Sequence, residues 1–256
     1  MTVAKIIAIA NQKGGVGKTT TAINLSSCIA YLGKRVLLVD IDAQGNATSG
    51  LGVDKTNLKN SVYDVLINGT DMKEAIVETC QENLWLCPSS IELAGAEIEL
   101  VSMMSRETIL REAIAEIEAD FDYILIDCPP SLGLVTLNAL TASNSVLVPI
   151  QCEFYALEGL SQLMNTISLV RKRLNRSLAV DGLVLTMFDS RTNLSIQIVE
   201  EIKNHFGDNV YETLIPRNVR LSEAPSFGLP IVMYDAKCAG SKAYIELAQE
   251  VINKEN

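Results

Sequence analysis

A short apolar run, Ile6-Ile7-Ala8-Ile9-Ala10, leads without a break into Asn11-Gln12-Lys13-Gly14-Gly15-Val16-Gly17-Lys18-Thr19-Thr20. The order of strand, small-residue loop and helix-forming segment restricts the fold more than any other feature of the chain. Small residues let backbone N–H groups converge on an anion, and the following helix aims the positive end of its dipole at the same point. The segment reads as a phosphate-binding loop, with Lys18 placed for the β and γ phosphates and the Thr19 hydroxyl for Mg²⁺. The usual form of this loop has glycine five residues before Gly17. Here Gln12 stands in that position, and glycines follow at 14 and 15 behind an additional lysine, Lys13.

The rest of the chain alternates short apolar strands with helix-period segments, the pattern of a parallel sheet covered by helices on both faces. Strands are expected at Lys5 to Ala10, Arg35 to Asp40, Leu84 to Cys87, Tyr123 to Asp127, Ser145 to Ile150, Asp181 to Phe188 and Asn209 to Ile215. Most are rich in β-branched residues or leucine, as strands buried on both faces should be. A helix is expected from Lys18 to Leu32, closed by Gly33 as a left-handed cap. A second, long helix should start near Leu157 and end in Arg171, Lys172, Arg173 and Arg176, cations that complement its carbonyl end. The acidic segment from Glu92 to Glu118 reads as the solvated face of surface helices. No Pro/Gly/Ser-rich linker interrupts residues 1–256, so the fold class expected is α/β: one domain with a doubly wound, mostly parallel sheet.

Composition narrows the function. A formal net charge of −10 restricts any nucleic-acid binding to a local basic patch. The six cysteines show no C-x-x-C spacing and several sit in apolar runs, so neither a metal framework nor disulfides are indicated. The apolar N-terminal run is too short to span a membrane and feeds directly into the loop, which leads to a cytoplasmic expectation. His205, the single histidine, lies near the end of a predicted helix and is assigned no catalytic role.

In open α/β sheets ligands bind at the carboxyl ends of the strands, and the remaining motifs fall there. The second strand ends Val39-Asp40-Ile41-Asp42-Ala43-Gln44-Gly45, and alternation along an extended chain points Asp40 and Asp42 the same way, toward the loop. A hydrolytic site needs carboxylates for two tasks, organising Mg²⁺ and orienting water. A third, Asp127, stands at the tip of Tyr123-Ile124-Leu125-Ile126-Asp127, followed by Cys128-Pro129-Pro130-Ser131, and should hold Mg²⁺ through water. A GTPase would carry glycine in place of Pro130 and an Asn-Lys-x-Asp base motif. Neither is present, which favours adenine.

Lys13-Gly14-Gly15-Val16-Gly17-Lys18-Thr19-Thr20 resembles the deviant Walker A loop of the ParA/MinD ATPase superfamily. The resemblance implies ATP and Mg²⁺ as cofactors, with Lys13, Gly14, Gly15, Val16, Gly17, Lys18, Thr19 and Thr20 around the phosphates. It implies that Lys13 reaches across a dimer interface to the partner's ATP, that Asp42 acts on the attacking water, and that Thr19, Asp40 and Asp127 serve the metal. Ile215-Pro216-Arg217-Asn218 is similar to the base-contacting loop of the family, which assigns adenine contacts to Pro216 and Asn218. Relatives often carry proline where this chain has Ala43, so its first switch is less restrained.

The likeness extends through Gln151 to Leu160 and Pro216 to Ser226, runs that look like the chromosomal ParA/Soj branch. That branch implies an ATP-dependent homodimer that binds double-stranded DNA without sequence preference, associates with the nucleoid when ATP-bound, and hydrolyses slowly. A ParB/Spo0J-type partner stimulates hydrolysis and release. Arg191, Arg217 and Arg220 match the DNA-contacting positions, where each need only reach phosphate. A MinD-like membrane or client ATPase is the alternative, but the segment Ala243 to Asn256 carries more acid than base, unlike a membrane-binding helix.

Overall fold

The computed structural model describes residues 3–153 and 160–254. Its strands are β1 (Lys5–Ile9), β2 (Val36–Asp40), β3 (Val77–Glu78), β4 (Leu84–Cys87), β5 (Tyr123–Asp127), β6 (Ser145–Gln151), β7 (Ala179–Phe188) and β8 (Val210–Pro216). They form one sheet in the order β3-β4-β2-β5-β1-β6-β7-β8. Every pairing is parallel except β3 with β4. The seven strands expected from sequence are all present, with ends shifted by a residue or two. β3 was not expected: two residues, opposite Trp85 and Leu86, leave no periodicity to read.

The helices are α1 (Lys18–Tyr31), α2 (Asn46–Gly50), α3 (Met72–Ala75), α4 (Leu93–Glu99), α5 (Ile109–Ala115), α6 (Leu134–Ala142), α7 (Leu160–Arg173), α8 (Asn193–Phe206), α9 (Val219–Glu223), α10 (Ile231–Tyr234) and α11 (Ala239–Asn253). The expected start of α7 near Leu157 lies outside the described residues, as does most of the Gln151 to Leu160 run. Alternate strand residues feed two apolar cores. Ile6, Ala8, Leu37 and Val39 pack with α5, α6, α7 and α8, whereas Ile7, Ile9, Val36 and Leu38 pack with α1 and α11. Helices therefore cover both faces, the doubly wound arrangement the sequence predicts.

Helix α1 carries the phosphate loop at its N-terminus and is buried nearly all round, from Thr21 to Ala30. Its polar side chains are satisfied inside: Ser26 Oγ donates to Ala22 O at 2.6 Å, Asn24 Oδ1 accepts from Ile231 N at 2.7 Å, and the Thr21 and Tyr244 hydroxyls lie 3.1 Å apart. Gly33, with φ 86°, closes the helix as expected. The helix that aims the loop is thus clamped between sheet and α11.

Gly52 and Gly228 hold two backbones at close approach. A Cβ on Gly228 would stand 2.6 Å from Gly52 Cα, and the residue has φ +65°. Gly228→Ala is expected to cost roughly 1–3 kcal/mol from overpacking and left-handed strain together. Gly33→Ala, which meets nothing within 4 Å, should cost only the conformational part. Thermal melts of both variants check this, and equal losses would show that the close approach relaxes freely.

Candidate nucleotide site

The phosphate loop leaves β1 at the carboxyl edge of the sheet. Asn11 sets its path: Nδ2 donates to Pro149 O at 2.8 Å and Oδ1 accepts from Lys13 N at 3.0 Å. Gly15 and Gly17 take φ +76° and +87°, conformations that side chains rarely adopt, so small residues here are a backbone requirement. Thr186, at the end of β7, donates its hydroxyl to Val16 O at 2.8 Å and holds the loop from the other side. Lys18 is 7% exposed and its Nζ donates to Lys13 O at 3.1 Å. Burial lowers its pKa, while the nearby carboxylates Asp127 and Asp42 pull the other way.

Sheet register explains the carboxylates. Asp40 of β2 pairs directly with Asp127 of β5, and Asp127 pairs with Ile9 on its other side, one strand from the loop. Both acids are fully buried. Burial first raises both pKa values above the ordinary aspartate range, with repulsion from Asp42 adding at Asp40 and repulsion from Asp40 adding at Asp127. Their surroundings differ. Asp40 Oδ2 accepts from Thr48 N at 2.8 Å and Thr48 Oγ1 at 2.7 Å, and its Oδ1 accepts from Asp42 N at 3.2 Å. Neither oxygen of Asp127 has a fully formed hydrogen bond, although the Thr19 hydroxyl and Lys18 favour its charged form. Asp42 is partly exposed, with Oδ1 accepting from Gln44 N at 3.0 Å.

A cavity of about 400 Å³ adjoins the loop, lined by Gly17, Thr20, Thr186, Met187, Pro216 and Asn218 among others. It brings the expected base-contacting residues beside the expected phosphate residues. Met187 takes φ +52° there, a strained backbone of the kind found at binding sites. Asn218 also caps α9, accepting from Arg220 N at 2.8 Å.

Lys13 lies on the loop surface, its Nζ 3.9 Å from Glu153; the same carboxylate is 3.9 Å from Arg217. The other arginines expected at DNA are also exposed and also paired. Arg191 forms a two-point bridge to Asp189, with contacts of 2.9 and 2.7 Å, and Arg220 contacts Glu223 at 2.9 Å and Asp235 at 3.6 Å. Cys128, beside the Asp127 end, is buried and its thiol pKa is raised, which keeps it neutral. Among the described residues, no group of three or more His, Cys, Asp or Glu is placed to hold a metal, and no helix is long and apolar enough to cross a membrane.

Comparison with known proteins decides the family. The model of the AAA domain family matches residues 4–180. Sporulation initiation inhibitor protein Soj of Bacillus subtilis is 61% identical over 247 residues, covering 96% of this chain and 98% of the relative. This chain belongs to the ParA/Soj family. Chromosome partitioning protein ParA of Myxococcus xanthus is 53% identical over 99% of this chain and 90% of its own length. The structure of cobyrinic acid a,c-diamide synthase from Mycobacterium smegmatis with bound ATP analog and magnesium is similar with a TM-score of 0.88 and 39% identity, covering 99% of this chain and 96% of that one. Septum site-determining protein MinD from Pyrococcus horikoshii, complexed with Mg-ADP, gives a TM-score of 0.83 at 29% identity, covering 99% and 98%. The ParA/Soj resemblance seen in the sequence is borne out, and so is the doubly wound fold of that family.

Several residues that shape the site were not singled out from sequence. Thr48 fixes Asp40, Thr186 and Asn11 fix the loop, and Glu97 accepts from Leu134 N at 2.7 Å and Val135 N at 3.2 Å, capping the helix that follows Pro129-Pro130. Each works through a contact at least eight residues away in sequence, and no local motif announces it.

Proposed function

We propose that this chain is a Mg²⁺-dependent partitioning ATPase, a single domain whose ATP-bound homodimer holds double-stranded DNA without sequence preference. The observation that carries this reading is Asp127: two buried carboxylate oxygens without full hydrogen bonds, beside Lys18 and Thr19 at a phosphate loop. A buried acid left in that condition fits a hydrated cation. Mg²⁺, when bound, would offset phosphate charge, held by Thr19 and, through water, by Asp127. Asp40 supports that end from behind, keeping β2 and α2 in register through Thr48. Loop N–H groups and Lys18 bind the phosphates, Pro216 and Asn218 contact adenine, and Asp42 orients the attacking water.

Lys13 is free to leave its long contact with Glu153 and reach a second protomer's nucleotide, which makes dimerisation respond to ATP. Arg191, Arg217 and Arg220 then meet DNA phosphates from both protomers. Each adds a small, salt-sensitive increment that pairing of protomers multiplies. A ParB/Spo0J-type protein raises a slow intrinsic hydrolysis and releases the DNA, so the ATP-bound form is the nucleoid-associated one.

The test is fluorescence anisotropy with a non-specific duplex in ATP, ADP or no nucleotide, at two salt concentrations. Binding should need ATP, weaken with salt, persist in Asp42→Ala and fall in Arg220→Ala. Equal binding, or none, in every nucleotide state would sink the reading.

A further inference from the structure

Residues 159–180 contain no Asp or Glu, in a chain that has 31 of them. Most of this stretch is α7, which buries Leu160, Leu163, Ile167 and Val170 and leaves Ser161, Gln162, Asn165 and Ser168 exposed. Its last turn and the residues after it expose Arg171, Lys172, Arg173 and Arg176. None of the four has an ion-pair partner among the described residues, whereas Arg191, Arg217 and Arg220 all do. The turn is rigidly held: Asn175 Nδ2 lies 3.1, 3.1 and 2.6 Å from the carbonyls of Leu140, Thr141 and Ser143 at the end of α6.

We propose that this acid-free face of α7, ending in Arg171, Lys172, Arg173 and Arg176, is a second contact surface for the DNA phosphate backbone. The inference rests on the DNA-binding reading above and adds a surface to it. Basic side chains following exposed Ser, Asn and Gln along one helix are a set that meets phosphate and sugar. Four cations exceed what a helix end of about half a negative charge needs. The unpaired quartet reaches an anion without first breaking a bridge, unlike Arg191. Anionic lipid is the poorer fit, because Leu169 is the one large apolar side chain exposed on the described part of α7. The quartet lies near Ala179, where β7 begins, at the end of the sheet opposite the phosphate loop, so it adds to the affinity of the ATP-bound dimer without touching the nucleotide.

The experiment compares the native chain with the fourfold variant Arg171→Gln, Lys172→Gln, Arg173→Gln, Arg176→Gln, using a non-specific 24-base-pair duplex across a salt series. A second variant, Ser168→Glu with Leu169→Glu, adds repulsion while leaving the four cations in place. Both should weaken binding about tenfold or more near 0.1 M salt, and the fourfold variant should flatten the salt slope by about 2. Native binding with both variants unchanged overturns this proposal alone, and absence of native binding under every condition overturns the DNA reading with it. A fourfold variant that loses affinity for vesicles containing phosphatidylglycerol but not for DNA overturns it in favour of lipid.

Discussion

Asp127→Asn is expected to raise the melting temperature of the nucleotide-free, metal-free protein while reducing Mg²⁺-dependent ATP hydrolysis roughly a hundredfold or more. The two effects share one cause. Asp127 and Asp40 are register partners in the middle of the sheet, both fully buried, and Asp127 has no complete hydrogen bond to offset its desolvation. Neutralising one acid removes the buried charge and the repulsion, for a gain of roughly 1–3 kcal/mol. The same pair sets a pH dependence. Because the folded-state values are raised, the folded protein binds more protons than the unfolded chain between the ordinary aspartate pKa and the raised ones. Stability from this pair is full below the ordinary value and is lost as pH rises through the raised values. Native protein should therefore melt higher at mildly acidic than at alkaline pH, and Asp127→Asn should flatten that difference. A variant that melts lower, with the native pH slope intact, would show that the pair carries no strain.

Lys18→Ala is expected to weaken ATP binding roughly 10- to 100-fold, the worth of a charge-assisted contact of about 1.5–3 kcal/mol to phosphate. Lys18 is nearly buried and already folded back onto the loop, 3.1 Å from Lys13 O, so little ordering remains to be done when phosphate arrives. Removing it also takes away the cation that favours the charged form of Asp127. Titration with a fluorescent ATP analogue measures the loss. Lys13→Ala makes the contrast: its side chain is on the surface, so a single protomer should bind nucleotide nearly as well as before while ATP-dependent dimerisation fails in sedimentation.

The legibility of this chain follows the range of its interactions. The phosphate loop was readable because strand, loop and helix are contiguous, and the strands were readable because burial on both faces leaves unbroken apolar runs. Asp40, Asp42 and Asp127 stood out as acids at strand ends. That Asp40 is fully engaged by Thr48 and Asp42 while Asp127 is not could not be seen, since it depends on side-chain hydrogen bonds in a site assembled across the sheet. The ion pairs of Arg191 and Arg220 are local but mean nothing until the loops are folded. The unpaired character of the α7 quartet is a negative property, visible only once the other cations have found their acids.

The sheet order has a consequence for synthesis. Among the described residues, β1 pairs with β5 and β6 and with no other strand, so its nearest hydrogen-bonding neighbour begins at Tyr123, more than 110 residues further along. At a translation rate of about 5–20 residues per second, the first strand waits roughly 6 to 24 s for any partner. During that interval the glycine-rich segment after it has no sheet to spring from and cannot grip a phosphate. Nascent chains that stop short of β5 therefore cannot compete with finished molecules for nucleotide, and the long-range pairing that slows folding also delays the first binding event until about half of the chain has been made.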